Sequence, residues 1–176
     1  ATTTKRGLLL STHYYLLASN RLLSSTTSAQ SLFGVGLPLS ATTTYEYEMY
    51  VAFDYLPNSG TITVSDTWGY GGSYSLITAA YQLSYNTTGY STSTAVNHKF
   101  TDGLSTSVAT GSGGNVIYSV YVKRGIFRTT TAGTLTPQLV LSSTSGLTQA
   151  PNIQQGSYIK VTPVGSSSTN SIGAWA

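Results

Sequence analysis

The chain has no cysteine, which excludes a disulfide framework and any thiolate metal site and leaves the redox compartment open. Charge is almost as scarce. Charged residues make up 7% of the 176, against about 25% in an ordinary soluble domain. Eight basic and five acidic residues leave a formal net charge of +3, too thin for a stripe that tracks a phosphate backbone, so no nucleic-acid partner is expected. Long apolar runs are missing too. The most apolar stretch near the start, Leu8 to Leu23, is broken by His13, Asn20 and Arg21, so neither membrane insertion nor a leader peptide is expected. The helix formers Glu, Lys, Met and Gln are few, and no segment sustains a 3.6-residue period.

What is present points to sheet. Hydrophobic residues are 40% of the chain, enough to exclude the disordered class, and the length suits one domain. Serine and threonine, roughly a third of the residues, replace the usual surface charges. Threonine, tyrosine and valine fit pleated, half-buried positions.

Along the chain, residues 1–6 read as a lead-in or the end of an upstream segment, and 7–176 as a single domain. His13 to Ala18 is expected to form a first buried strand. The clearest pattern runs from Thr44 to Tyr55. Tyr45, Tyr47, Met49, Val51, Phe53 and Tyr55 take the odd positions, and Glu46, Glu48 and Asp54 fall on even ones. Side chains alternate faces along a strand, which puts the aromatic set inward and the acidic set outward. Leu56 to Gly60 has turn chemistry, and Ile62 and Val64 start a new alternation, so a hairpin is expected here. Further strands are expected over 74–85, 97–100, 116–127, 135–142 and 157–164. Many strands with turn signals between them indicate a sandwich or barrel.

Catalytic chemistry finds little support. Of the two histidines, His13 lies in an apolar strand and reads as structural, and His98 reads as surface. No Gly-x-Ser-x-Gly elbow is present. Glu46 and Glu48 share a strand face, but glycosidase carboxylates flank a cleft from different elements, so a solvated or subunit-facing acidic patch is preferred. Asp54, Asp66 and Asp102 offer too few local oxygens for calcium. No catalytic residue, metal or cofactor is assigned.

Binding fits better. Trp68 to Tyr74 alternates aromatics with glycines, a composition suited either to exposed stacking platforms or to capping a barrel end. Trp68, Tyr70, Tyr74 and Tyr90 are therefore candidate surface or receptor contacts. Fourteen tyrosines exceed the needs of one core, and tyrosine serves interfaces well. Lys123, Arg124 and Arg128 form the one local basic group. They are read either as partners of Glu46 and Glu48 across a subunit contact or as charges that keep a strand end soluble.

Several stretches resemble virion proteins of tailed bacteriophages, in particular carboxy-terminal domains of tail-fibre-like chains. They are Thr12 to Ser19 (THYYLLAS), Ser31 to Val51 (SLFGVGLPLSATTTYEYEMYV), Ala132 to Ser142 (AGTLTPQLVLS), Gly156 to Gly165 (GSYIKVTPVG) and Ser171 to Ala176 (SIGAWA). The resemblance spans nearly the whole chain and is one of fold, with no catalytic residues to transfer. It implies an antiparallel, jelly-roll-like β-sandwich at the surface of a virion, assembled as a homotrimer. The implied partners are further copies of itself, other virion proteins and a host-surface glycan or protein. Such domains commonly follow a longer amino-terminal part, and a stand-alone copy equally suits capsid decoration. A glycan depolymerase is the third and least supported reading.

Overall fold

The computed structural model describes residues 12–79, 81–88, 95–98, 101–102 and 105–166, with side chains described over 12–75 and 107–166. Every regular element among the described residues is a strand. In chain order the first seven are β1 (His13–Leu16), β2 (Arg21–Leu22), β3 (Gln30–Ser31), β4 (Leu37–Leu39), β5 (Thr43–Pro57), β6 (Thr61–Tyr70) and β7 (Tyr74–Ala79). There follow β8 (Tyr81–Thr88), β9 (Ala95–His98), β10 (Thr101–Asp102) and β11 (Ser105–Ser112). The last four are β12 (Ile117–Thr129), β13 (Gly133–Leu141), β14 (Leu147–Ile153) and β15 (Tyr158–Ser166).

They form two antiparallel sheets, one of ten strands and one of five. The larger is organised on the two long strands β5 and β12, paired from Ile117 opposite Tyr55 to Arg128 opposite Thr44. The other edge of β5 is shared end to end by β15 and β14. The other edge of β12 is shared by β8 and β7. In the smaller sheet β6 lies between β11 and β13, with β3 and β4 along the far edge of β13.

A single apolar cluster fills the space between the sheets. All six odd-numbered residues from Tyr45 to Tyr55 are in it, as the alternation requires. Facing them are Ile62, Val64 and Trp68 of β6 and Leu135, Leu139 and Leu141 of β13. Rings meet edge-on, with Tyr47 and Trp68 at 5.0 Å and Tyr70 and Phe127 at 5.0 Å, the geometry that ring quadrupoles favour. The result is a two-sheet, all-β sandwich.

Two expectations need correction. The expected hairpin at residues 56–60 is a sheet-to-sheet corner, because β5 and β6 belong to different sheets. Both edges of β5 are already occupied, by β12 on one side and by β14 and β15 on the other, so the returning strand has no edge to join. The corner is held by backbone bonds from other loops. Asn58 N–H donates to Gly146 O at 2.6 Å, and Gly114 N–H donates to Pro57 O at 2.6 Å. Gly146 has φ of 75°, and a Cβ there would lie 2.3 Å from Ser59 O. Only glycine fits.

The first strand is also not buried. All four residues of β1 are exposed, because among the described residues it pairs only with β15, at the end of the larger sheet. The strand expected over 74–85 is present as β7 and β8, which follow one another along the same edge of β12. The strands β11 and β14 and the short β2, β3, β4 and β10 escaped sequence reasoning. The terminal Trp175 lies outside the described residues.

Candidate functional site

The even-numbered side chains of β5 point away from the core, and the strand register sets what stands beside them. Tyr50 is flanked by Tyr158 and Val122, and Glu48 by Lys160 and Arg124. On the outer strand, Tyr14 stands opposite Lys160 and Leu16 opposite Tyr158. Three tyrosines therefore cross three adjacent strands. Tyr50 and Tyr158 stack at 5.9 Å with 14° between planes, and Tyr158 and Tyr14 stack at 5.5 Å with 27°. The row ends at the sheet edge in Tyr14, 58% exposed. Tyrosine can lie on such a face because its ring packs while its hydroxyl stays wet.

Charged groups fix the row. The Tyr158 hydroxyl donates to Glu48 Oε1 at 2.5 Å, and Arg124 Nε lies 2.8 Å from Glu48 Oε2. The hydrogen bond to Glu48, with some burial, pushes the Tyr158 phenol up to about 12 from 10.0, since a carboxylate acceptor favours the protonated phenol. Glu46, Glu48, Arg124, Lys160 and Thr162 border a shallow depression beside the rings. The surface thus offers a flat apolar strip next to hydrogen-bonding groups of both signs.

The structure redistributes the residues singled out in the sequence. Trp68 is 5% exposed and belongs to the core, so its assignment as a surface contact is corrected. It sits on β6 at the same parity as Ile62 and Val64, and that parity points between the sheets. Tyr70 is half-buried. Its hydroxyl donates to Thr131 O at 2.7 Å, and its ring packs on Phe127. Tyr74 keeps an exposed face at 36% next to Tyr70 and Phe127. Tyr90 lies outside the described residues.

Among the charges, Glu46 is exposed and Arg128 half-buried. Glu48 and Arg124 do pair, but within one chain across β5 and β12. Lys123 is corrected outright. It is fully buried, with Nζ 2.6 Å from Asp66 Oδ2 and 5.5 Å from the Trp68 ring centroid. Its place on β12 matches that of Ile117, Ser119 and Tyr121, all inward, so it cannot reach a subunit contact. His13 is exposed rather than embedded, and the side chain of His98 lies outside those described.

Two features escaped sequence reasoning. Asp54, expected on the wetted face, is covered there by carboxamides. Gln149 Nε2 donates to Oδ2 at 2.6 Å, and Asn152 and Gln154 donate to Oδ1. Its partners come from β14 and the turn after it, a strand with two register shifts against β5. No hydrophobic alternation announces such a strand. Among the described residues no group of three or more His, Cys, Asp or Glu gathers in one place. The second feature is an apolar cleft of about 170 Å³ at the open mouth of the sandwich, between Tyr15 and Ile159 of the larger sheet and Phe33, Leu37 and Leu135 on the other side.

Against known proteins, no family model, no curated protein and no solved structure matches this chain. The fold and the outer face therefore define it only as an all-β, two-sheet protein that displays a tyrosine row.

Proposed function

We propose that this chain is a non-enzymatic surface domain of a tailed-bacteriophage particle, a tail-fibre or head-fibre tip that engages host-surface glycan through the Tyr14, Tyr158 and Tyr50 row. The observation that carries the reading is the row itself, three stacked rings on the outward face of the larger sheet bordered by Glu48, Arg124 and Lys160. The apolar C–H faces of sugars stack on such rings, and their hydroxyls take bonds from flanking charged groups. Each such site is weak. A homotrimer of jelly-roll-like sandwiches, as the sequence resemblance implies, would present three at once and gain through avidity.

Adsorption to host cells and binding to arrayed host polysaccharide test this reading. Tyr14→Ala and Tyr50→Ala are expected to abolish binding. Tyr118→Ala, which removes another exposed ring at 52% elsewhere on the molecule, is expected to leave it intact. Equal loss in all three, or in none, refutes the site.

One observation favours a second reading, a capsid decoration protein that binds only virion subunits. Tyr15, Leu16, Leu22 and Val35 are exposed at 36%, 49%, 65% and 47% near the apolar cleft and the β1 edge, a surface suited to another subunit. A folded trimer that binds purified capsids but no host cell would select it. Polysaccharide cleavage lost in Glu46→Gln or Glu48→Gln would instead make the chain a depolymerase.

A further inference from the structure

The Lys123–Asp66 pair joins the two sheets, Lys123 from β12 of the larger and Asp66 from β6 of the smaller. Both side chains are at most 1% exposed, beside a core cluster of rings and aliphatic groups. Holding two full charges there is unfavourable unless geometry and extra hydrogen bonds compensate. Nearby, two buried donors have no acceptor among the described residues, Trp68 Nε1–H and the Tyr121 hydroxyl. The Trp68 ring lies under the Lys123 ammonium, and complete burial, with the charge of Asp66 beside it, raises the Tyr121 phenol.

We infer that Lys123 and Asp66 condense into an intramolecular amide that covalently staples one sheet to the other. The hydrogen bond at 2.6 Å carries one proton from Nζ to Oδ2, leaving an amine beside a carboxylic acid. The Nζ lone pair then attacks Cγ, and the Nζ–Cγ bond forms. The Cγ–Oδ2 bond breaks, the departing hydroxide takes a second proton from Nζ, and one water leaves. No oxidant, reductant or co-reactant enters. Confinement of the two groups within the fold replaces a bimolecular encounter. The product carries no charge, so the burial penalty is relieved. Dry surroundings also disfavour hydrolysis. This inference does not depend on the recognition reading.

Intact mass under denaturing conditions tests it. The wild-type chain is expected to weigh one water less than its sequence, and proteolysis is expected to yield one branched peptide joining the Asp66 and Lys123 segments. Asp102–Gly103 can also lose water by closing on its own backbone, but that product gives linear peptides, so the branched peptide is required. Asp66→Asn should reach the same product by losing ammonia, and Lys123→Met should keep its full mass. A wild-type chain of full mass, or one short of a water with linear peptides only, overturns the inference. Because the wild type decides, failure of a variant to fold does not shield it.

Discussion

Lys123 and Arg124 are neighbours in β12, and their ion pairs lie on opposite faces of one sheet. Inside, Lys123 meets Asp66 with both side chains sealed from solvent. Outside, Arg124 meets Glu48 with the two side chains 59% and 30% open to water. The distances barely differ, 2.6 Å and 2.8 Å, so contact geometry does not distinguish them. Solvent does. A sealed charge that loses its partner has nothing to replace it, whereas an exposed one turns to water. Position on an alternating strand, a single residue's difference, therefore decides whether a charge belongs to the architecture or to the surface.

The largest effect is expected from Lys123→Met, which strands Asp66 in the core. It should lower unfolding free energy in urea by about 3–5 kcal/mol, and a loss under about 1 kcal/mol, the range of a surface pair, would erase the contrast. Adding Asp66→Leu removes the stranded charge, and the double variant should regain part of that loss but not the part owed to a covalent tie. Next comes Gly146→Ala. Its positive φ and the clash that an added Cβ would make with Ser59 O predict a loss of about 1–3 kcal/mol, read as a lower melting temperature. Wild-type stability would mean that the corner between β5 and β6 is not clamped there.

The outer face should respond more in titration than in stability. Tyr158 in the folded chain is raised to about 12, above its unfolded 10.0. The stabilisation it brings is fully present below pH 10.0 and is lost as pH rises through about 12. Glu48→Gln removes the carboxylate acceptor, so the Tyr158 phenol should titrate closer to 10.0, visible by NMR of ring-labelled tyrosine. An unchanged midpoint would deny the Tyr158–Glu48 bond. The smallest effect is expected from Arg124→Met, about 0–1 kcal/mol and smaller still at high salt.

The same alternation explains what could be read beforehand. The β5 pattern was legible because apolar rings and acids separate cleanly by parity, and all six odd residues are buried. Parity also held the signal for the sealed pair. Asp66 shares the parity of Ile62 and Val64, and Lys123 that of Ile117 and Tyr121, but Lys123 was read by its charge, which favours the surface, and Asp66 was weighed only as a calcium ligand. Trp68 was misplaced for the converse reason, since the glycines after it suggested a loop while its parity pointed inward. The tyrosine row was out of reach, because Tyr14, Tyr50 and Tyr158 are far apart in sequence and meet only through the pairing of β1, β15 and β5. Partner choice at β5 was hidden likewise. A turn sequence at residues 57–60 states that the chain reverses, not whether an edge is free to receive it.

Two double-mutant cycles, one on Lys123 and Asp66 and one on Arg124 and Glu48, test the central contrast within a single strand. Coupling of several kcal/mol inside and below about 1 kcal/mol outside is the predicted result. Equal couplings would contradict it.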